Sequence, residues 1–247
     1  MAGTTLFISD LHLCAERPAV TWLFLDFLAG EARTADALYI LGDLFEFWVG
    51  DDAAGQDEFR RVVDGLADLT RAGIPLQVMY GNRDFLMRQR FEEITGGRLI
   101  PDPLRIELYG EPTLLMHGDL LCTADTDYMK FRAMVRDPVW QGDFLAKDLA
   151  ERNGIFNNYR DISKATTNKK PPEIMDVVQT TVEGMMRQHQ VRRLIHGHTH
   201  RPGEHVFTLD GAPARRMVLG AWYEQGSVLR VNTKGWTLKT LPLPTAA

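Results

Sequence analysis

Several features typical of secreted, membrane-spanning or nucleic-acid-binding proteins are scarce in this sequence of 247 residues. It has two cysteines, Cys14 and Cys122, which are too few for a disulfide framework and fit a reducing cytoplasm best. No apolar run approaches the ~20 residues that span a bilayer, and the N-terminal MAGTTLFISD lacks the basic and apolar regions of a secretory signal. The net charge is −5, whereas nucleic-acid-binding domains are usually basic. We therefore expect a soluble globular protein that binds no nucleic acid.

The chain alternates between short apolar segments and amphipathic ones. Five segments predict buried strands: TLFIS (5–9), ALYIL (37–41), LQVMY (76–80), TLLMH (113–117) and RLIHG (193–197). Helical patterns at 19–32 and 58–72 separate the first three, a helical region follows at about 124–190, and frequent turn signals predict antiparallel strands from Gly203 onward. We predict an α/β fold and a single domain over 1–247, interrupted by a helical insertion at about 124–170.

The insertion differs in charge from the rest of the chain. Nine Lys or Arg and five Asp or Glu lie between Lys130 and Lys170, a local excess of +4 that leaves −9 for the remainder. Aromatic residues are interleaved with these basic ones. Two interpretations stay open, a helical hairpin packed on the core with a solvated basic face and a lid that covers a substrate.

Each predicted strand is followed by side chains that can bind a metal ion. In chain order they are Asp10 and His12, Asp43, Asn82, His117 with Asp119, and the histidines of HGHTH at 196–200. We expect five strands to bring these donors to one end of one sheet. The absence of cysteine argues against a thiolate zinc site, and mixed carboxylate, amide and imidazole donors suit Mn²⁺, Fe²⁺ or Zn²⁺. The set is too large for one ion, so we expect two ions bridged by Asp43, an arrangement suited to in-line displacement at phosphorus.

The order of these motifs resembles the signature of the calcineurin-like metallophosphoesterases. The matching motifs are Asp10-x-His12, Gly42-Asp43, Gly81-Asn82, His117 and Gly197-His198-Thr199-His200. The resemblance implies a two-sheet β-sandwich flanked by helices. It also implies one ion held by Asp10, His12, Asp43 and His200, and a second held by Asp43, Asn82, His117 and His198.

Arg83 departs from the pattern of many members of that superfamily, which have histidine at this position. A guanidinium keeps its proton and cannot protonate a leaving group, but its bidentate fork matches a phosphate oxygen. Arg83 therefore favours cleavage of a diphosphate linkage, whose leaving group is a stable anion, and loss of catalytic power is the alternative. Its neighbours Asn82 and Asp84 can either serve a metal ion or hold a loop.

Longer segments narrow the resemblance and extend it over nearly the whole chain. They are GDLFEFWVGDD (42–52), YGNRDFL (80–86), MHGDLLCTADTDY (116–128), IMDV (174–177) and LIHGHTHRP (194–202). These segments are similar to the family of UDP-2,3-diacylglucosamine hydrolases of bacterial lipid A biosynthesis. That similarity implies two Mn²⁺ ions per chain and attack at the α-phosphorus, giving UMP and 2,3-diacylglucosamine 1-phosphate.

The same similarity implies roles for individual residues. Catalysis would involve Asp43, Asn82, Arg83 and His198. Contacts with the substrate would come from Asn82, Arg83, Asp125, Ser163, Thr167, Lys170 and His198, with the loosest match at Thr167.

A basic, aromatic insertion also suits a substrate with a charged diphosphate head and apolar tails at an anionic membrane surface. We therefore expect a lipid-linked nucleotide sugar as substrate and a peripheral location on the cytoplasmic face of the bacterial inner membrane, with no protein partner evident. The loop of Phe45, Phe47, Trp48 and Val49 is either core or the wall of an acyl groove. The alternatives are a phosphodiesterase or nucleotide pyrophosphatase that uses no lipid, a nuclease, and a non-enzymatic scaffold.

Overall fold

The computed structural model describes residues 3–167, 171 and 174–244, with the side chains of 58 and 161–167 excepted. Within this part of the chain two β-sheets face each other across an apolar core. Helices cover the other face of each sheet. The α/β two-sheet sandwich flanked by helices is confirmed.

The first sheet carries the three N-terminal strands. Its members are β1 (Thr5–Ile8), β2 (Ala37–Leu41), β3 (Leu76–Met79), β4 (Arg98–Leu99), β10 (Gln225–Asn232) and β11 (Gly235–Pro242). The spatial order is β11-β10-β1-β2-β3-β4, with β1 to β4 parallel and the last two strands of the chain antiparallel. Parallel neighbours need crossover connections, and these contain helices α1 (Pro18–Ala29), α2 (Asp57–Arg71) and α3 (Gln89–Thr95).

The second sheet has five strands. They are β5 (Leu104–Leu108), β6 (Glu111–Met116), β7 (Arg193–His196), β8 (Gly203–Leu209) and β9 (Ala212–Val218), in the order β5-β6-β7-β9-β8. The three central strands are parallel, and both edge strands pair antiparallel to their neighbours. Helix α7 (Gln179–Gln188) precedes β7 and packs against this sheet.

The expectation that all five donor-bearing strands share one sheet is wrong. β1, β2 and β3 belong to the first sheet, whereas β6 and β7 belong to the second. The second sheet begins with the antiparallel pair of β5 and β6. Three short elements, β4, β5 and α3, are not evident in the hydrophobic pattern of the sequence. Buried strands of either sheet look alike in sequence, so the pattern alone does not reveal which strands pair.

The insertion folds as three helices that pack on the body of the protein: α4 (Thr126–Val135), α5 (Pro138–Leu145) and α6 (Leu149–Thr167). Asp137 caps α5 by accepting hydrogen bonds from the backbone N–H groups of Val139 and Trp140, and Pro138 occupies the first turn. Aromatic side chains of the insertion, including Phe131, Trp140, Phe144 and Phe156, pack against the core of the first sheet. We call helices α4 to α6 the cap.

Three basic residues of the cap turn inward, so the interpretation of a wholly solvated basic face is wrong for them. Arg132 donates to the buried carboxylate of Asp119, and Arg136 donates to the backbone oxygen of Gly81. Arg152 is 3% exposed; it donates to the backbone oxygen of Val49 at 2.7 Å and pairs with Asp52. These contacts fix the cap to the body.

The aromatic loop after Asp43 belongs mainly to the core. Phe45, Trp48 and Val49 are fully buried, and Trp48 packs on Phe45 and Phe59. Phe47 is half-buried against the same cluster. The core interpretation is therefore confirmed for the three buried residues. Among the described helices, none combines the length and hydropathy that a bilayer crossing needs.

Arg152→Met should destabilise the protein, because the buried Val49 carbonyl loses its donor while the aliphatic packing is kept. We expect the free energy of unfolding, measured by urea denaturation, to fall by ~1–3 kcal/mol. Lys147→Met is the matched control, since Lys147, just before α6, pairs with Glu151 at the solvent-exposed surface and its loss should have no measurable effect. Equal unfolding midpoints for the two variants would contradict the role given to Arg152.

Candidate metal centre

The predicted donors meet where the carboxyl ends of β1, β2, β3, β6 and β7 converge. The chain continues the strand pairing for a few residues beyond each strand: the Asp10 N–H donates to the Gly42 oxygen, and the Gly197 N–H donates to the His117 oxygen. Within each sheet these bonds fix the separation of neighbouring loops. The ends of both sheets thus supply one cluster of carboxylate, amide and imidazole groups.

The first group of donors contains Asp10, His12 and His200. The two imidazole Nε2 atoms of His12 and His200 lie 3.2 Å apart, and His200 Nε2 lies 3.4 Å from Asp10 Oδ1. Asp10 is fully buried, His12 is 3% exposed and the His200 side chain is 32% exposed. One ligand atom from each residue falls within 4.8 Å of the others, which suits a single cation.

The second group contains His117 and Asn82, and Asp43 lies between the groups. His117 Nε2 is 3.0 Å from Asn82 Oδ1. Asp43 places Oδ2 3.8 Å from His12 Nε2 and Oδ1 3.8 Å from His117 Nε2. Each carboxylate oxygen of Asp43 therefore faces a different group, which is the geometry that a bridging ligand needs.

His198 lies beside the second group. Its ring centroid is 5.0 Å from that of His117, and the side chain lines the cavity at the centre. Its backbone N–H donates to both oxygens of Asp10. The other six predicted ligands have side-chain atoms in direct contact or in facing pairs, and ligation by all seven stays a prediction.

Backbone strain is concentrated at this cluster. Of the described non-glycine residues with positive φ, five are predicted ligands: Asp10, His12, Asp43, His198 and His200, with φ between 49° and 68°. L-residues rarely adopt this conformation, and its cost is typical of functional sites whose geometry the surrounding fold imposes.

At Gly81 and Gly197 the lack of a side chain allows the carboxylates of Asp43 and Asp10 to approach the backbone. A Cβ atom at Gly81 would overlap Asp43 Oδ1, and one at Gly197 would overlap Asp10 Oδ2. The strand-end glycines of the motifs are therefore required by close packing behind the ligands.

Electrostatics show a centre with an excess of closely spaced acidic groups. Burial, together with the nearby Asp84 and Asp10, raises the pKa of Asp43 to about 7, against the opposing effect of His117. Burial alone would lower the pKa of His117, but the carboxylates of Asp43, Asp119 and Asp10 outweigh it and raise that pKa to about 9. Burial would likewise raise the pKa of Asp10, but the hydrogen bond and charge of His200 lower it. Burial acts the other way on two further imidazoles, because it lowers the pKa of His198 to about 4 and that of His12 well below its usual range, which leaves both neutral and able to bind a cation.

The histidine orientations fit a metal ion. His117 Nδ1 lies 2.9 Å from the backbone oxygen of Leu41, so a proton on Nδ1 leaves Nε2 free to act as a ligand. His12 presents Nε2 to the cluster, while its buried Nδ1 has no hydrogen-bond partner among the described residues and faces Glu46 Oε2 at 3.5 Å. Donor type, spacing and ring orientation therefore all suit divalent cations.

Asp84 and Arg83 have separate tasks, although they are adjacent. Asp84 is fully buried and accepts hydrogen bonds from the backbone N–H groups of Leu44 and Gly81, both at 2.7 Å. It holds the two loops together, which decides between the two roles left open for it. The Arg83 backbone braces its turn by donating to Asp43 Oδ1. Its side chain lines the cavity, and its buried Nε has no hydrogen-bond partner in the described part of the chain.

A cavity of about 290 Å³ opens over the cluster. Besides the ligands and Arg83 it is lined by Asp125 and Tyr128 of the cap, by Thr199 and Arg201, and by Tyr223. Asp125 thus lies where a substrate contact is expected. Ser163 and Thr167 belong to α6, but their side chains lie outside the described residues, as does all of Lys170.

Three residues that the motifs did not single out pack around His12: Arg17, Glu46 and Tyr223. Arg17 donates to the His12 backbone oxygen and, at 3.2 Å, to Glu46 Oε2. The Tyr223 ring stacks parallel to the His12 imidazole, with ring centroids 5.4 Å apart. The Arg17 guanidinium lies 4.7 Å from the centroid of the Tyr223 ring. Glu46 stands in the GDLFE segment, so it was visible in sequence, but nothing local connects Arg17 or Tyr223 with the centre.

Glu46→Gln should weaken binding of divalent metal, because an amide orients the His12 Nδ1–H less strongly than a carboxylate. Losses of 10- to 100-fold are typical of such outer partners, and isothermal titration of the metal-free protein measures them. Glu107→Gln changes the same charge at an exposed pair on β5 and serves as the control. If both variants bind metal as the wild type does, Glu46 has no part in the centre.

Comparison with known proteins agrees with this geometry. The profile of the calcineurin-like phosphoesterases matches residues 3–202. A UDP-2,3-diacylglucosamine hydrolase of Stenotrophomonas maltophilia (strain R551-3) is 49% identical over 245 residues, covering 96% of this chain and 98% of that protein. Proteins of the same name from Aeromonas hydrophila subsp. hydrophila and Enterobacter sp. (strain 638) are 52% and 50% identical, covering 92% and 96% of this chain and 93% and 99% of theirs. A profile match over most of the chain, joined to relatives about half identical to it, establishes that this protein belongs to the calcineurin-like phosphoesterase family.

Proposed function

We propose that this protein hydrolyses the diphosphate bond of UDP-2,3-diacylglucosamine by attack of water at the α-phosphorus. The products are UMP and 2,3-diacylglucosamine 1-phosphate, and the reaction belongs to lipid A biosynthesis. The observation that carries the proposal is the Asp43-bridged donor cluster with the Arg83 side chain beside it in the same cavity. The names of the relatives support the choice of substrate.

Two Mn²⁺ ions per chain are the proposed cofactor. Asp10, His12, Asp43 and His200 would hold one ion, and Asp43, Asn82, His117 and His198 the other. Such a pair supplies charge to stabilise the attacking and leaving oxygens of an in-line displacement. Carboxylate, amide and imidazole donors suit Mn²⁺, although the same set also accepts Fe²⁺ or Zn²⁺.

Around this centre the chain orients the diphosphate and compensates its charge. Arg83 has no carboxylate partner among the described residues, so its guanidinium is available to a phosphate oxygen of the leaving sugar phosphate. Such a leaving group is a stable anion, so a permanent cation can replace the proton donor that an alkoxide needs. Asn82 and His198 lie beside Arg83 in the cavity lining and are proposed as further substrate contacts.

The cap is the proposed cover for the lipid half of the substrate. Asp125 lines the cavity, and the proposal also assigns contacts to Ser163, Thr167 and Lys170. Exposed apolar side chains of the cap, Met134 at 43% and Val139 at 70%, offer an apolar surface to acyl chains. On this view 1–247 is a single domain with an insertion at about 124–170, and the protein works at the cytoplasmic face of the inner membrane.

Product analysis tests the function directly. The Mn²⁺-loaded protein should convert the diacylated nucleotide sugar into UMP and the diacylated sugar 1-phosphate, identified by mass spectrometry. In ¹⁸O-labelled water the label should appear in UMP, because attack occurs at its phosphorus. UDP-glucosamine without acyl chains is the matched control. Comparable turnover of the two would favour a nucleotide pyrophosphatase that ignores the lipid.

Metal removal should abolish turnover, and Mn²⁺ should restore it. Asp43→Ala should be the most damaging single ligand change, because its two oxygens face both donor groups. Elemental analysis and rate measurements on this variant and on Asp64→Ala, an exposed carboxylate of α2, separate a specific loss from a general one. Full activity after EDTA treatment would rule out a metal mechanism.

Arg83→Ala should keep both metals and lose much of its turnover. A charge-assisted contact of this kind is worth ~1.5–3 kcal/mol, about ten- to a hundredfold in rate. Arg83→Lys should recover part of the loss, because a point charge lacks the bidentate fork. Arg90→Ala removes an exposed guanidinium on α3 and is the control.

Arg83→His separates charge compensation from proton donation. It restores the proton donor found in many superfamily members, so cleavage of a phosphodiester with a poor alcohol leaving group should improve. Cleavage of the diacylated nucleotide sugar should not. Wild-type rates in Arg83→Ala would show that only the backbone of this turn matters.

A further inference from the structure

A second cavity, of about 460 Å³, lies between the cap and the body of the protein. One side is lined by Arg132 of α4 and by Arg136, the residue directly after that helix. The other side is lined by residues of the body: Tyr80, Phe85, Arg88 and Asp102. Its lining residues and those of the cavity at the metal centre are different sets. We call this second cavity the arginine cavity.

The charge of the arginine cavity is opposite to that of the protein. Three guanidinium groups and the carboxylate of Asp102 line it, and a second carboxylate, that of Asp119, pairs with Arg132, which leaves one positive charge in a chain whose formal net charge is −5. Like charges that line one cavity repel each other, and the repulsion is stronger away from bulk water. An arrangement of this kind is stabilised when an anion binds among the guanidinium groups.

Two of the three arginines have no anionic partner in the described part of the chain. Arg136 donates to the backbone oxygen of Gly81 at 2.8 Å, and Arg88 donates to the backbone oxygens of Phe85 and Met87 and to the side chain of Gln141. All of these acceptors are neutral. Arg132 differs, because it donates to the carboxylate of Asp119 at 2.7 Å. Arg88 and Arg136 are therefore oriented by neutral groups, and neither forms an ion pair with a carboxylate of the described residues.

The two guanidinium groups are also pre-oriented. Arg136 lies over the rings of Tyr80 and Phe85, 4.8 and 5.1 Å from their centroids. Arg88 is held by two backbone oxygens at 3.0 and 2.8 Å. A binding group fixed before its ligand arrives loses little side-chain entropy on binding. Paired, fixed guanidinium groups are the usual receptors for phosphate oxygens.

We propose that the arginine cavity binds the phosphate group of a phosphomonoester, with Arg88 and Arg136 as its main contacts. Two sources share this chemistry, a soluble phosphomonoester and the headgroup of an anionic phospholipid. Arg136 also holds the carbonyl of Gly81, whose neighbour Asn82 lies at the metal centre. A ligand on Arg136 is therefore connected through one hydrogen bond to the turn that carries Asn82. This inference does not depend on the proposed function.

Calorimetric titration of the Mn²⁺-loaded protein with inorganic phosphate tests the proposal. The wild type should bind two phosphates per chain, one at the metal centre and one in the arginine cavity. Arg88→Gln and Arg136→Gln should each weaken the second site by about tenfold or more, and Arg88→Gln should leave the first unchanged. Arg83→Ala should do the reverse. One phosphate per chain in the wild type, or a second site indifferent to Arg88 and Arg136, overturns the proposal.

Two further variants guard against misfolding and general charge effects. Asp102→Asn removes the single carboxylate of the lining, so it should strengthen the second site, and a damaged fold does not produce such a gain. Arg90→Gln changes an exposed guanidinium on α3 and should alter neither site. Weaker binding in Asp102→Asn, in a variant whose thermal unfolding matches the wild type, would also contradict the proposal.

Vesicles distinguish the two sources. Sedimentation of the wild type and of Arg88→Gln/Arg136→Gln is compared on phosphatidylcholine alone and on phosphatidylcholine mixed with phosphatidic acid. Loss of phosphatidic-acid-dependent binding in the double variant identifies the lipid headgroup, and unchanged vesicle binding with a lost phosphate site identifies a soluble ligand. Hydrolysis of the diacylated nucleotide sugar is measured in parallel. If the protein hydrolyses this substrate but binds one phosphate per chain, the proposed phosphate site is wrong and the proposed function stands. If it binds two phosphates but does not hydrolyse the substrate, the proposed function is wrong and the phosphate site stands.

Discussion

The structure around the centre depends on one buried carboxylate, that of Asp43, lying between two histidines that come from different sheets. A charge removed from water in this way is costly unless opposite charges and hydrogen bonds surround it. The backbone N–H of Arg83 donates a hydrogen bond to Asp43 Oδ1. The Nε2 atoms of His12 and His117 each lie 3.8 Å from one of the two carboxylate oxygens. The raised pKa of Asp43, about 7, reflects how incompletely protein groups alone satisfy it. A bound cation would complete the compensation.

Much of the neighbouring backbone is arranged to permit this contact. Gly81 has no room for a side chain because Asp43 occupies that space. Asp84 ties the loop after β3 to the loop after β2 through backbone N–H groups. Asp43 itself takes a positive φ of 52°. Strain at the ligands is thus balanced by hydrogen bonds from residues that bind no metal, and rigid preorganisation of the centre results.

The cap is coupled to the centre through Asp119, which follows the ligand His117 by two residues. Its carboxylate accepts from the Tyr128 hydroxyl at 2.6 Å and from Arg132 Nε at 2.7 Å, both on α4. The Tyr128 ring in turn lies 5.8 Å from the ring of His198. The first helix of the cap is therefore positioned by the same loop that carries a predicted metal ligand. With Arg152 buried at its far end, the cap behaves as part of the core more than as a loosely attached flap.

The sequence by itself determined the local features: the strand ends, the order of the donors and the chemistry that those donors favour. β1, β2, β3 and β7 lie where the apolar segments predicted them, because burial of a short strand leaves a direct mark on composition. Asp10, His12, Asp43, His117 and His200 come together as predicted, since strand ends are natural positions for ligands. Only the tertiary structure decided that two sheets share the task, that Arg17 and Tyr223 support His12, and that basic residues of the cap face inward. These outcomes depend on contacts between segments far apart in the chain, and local periodicity carries no record of which distant segment a side chain will meet.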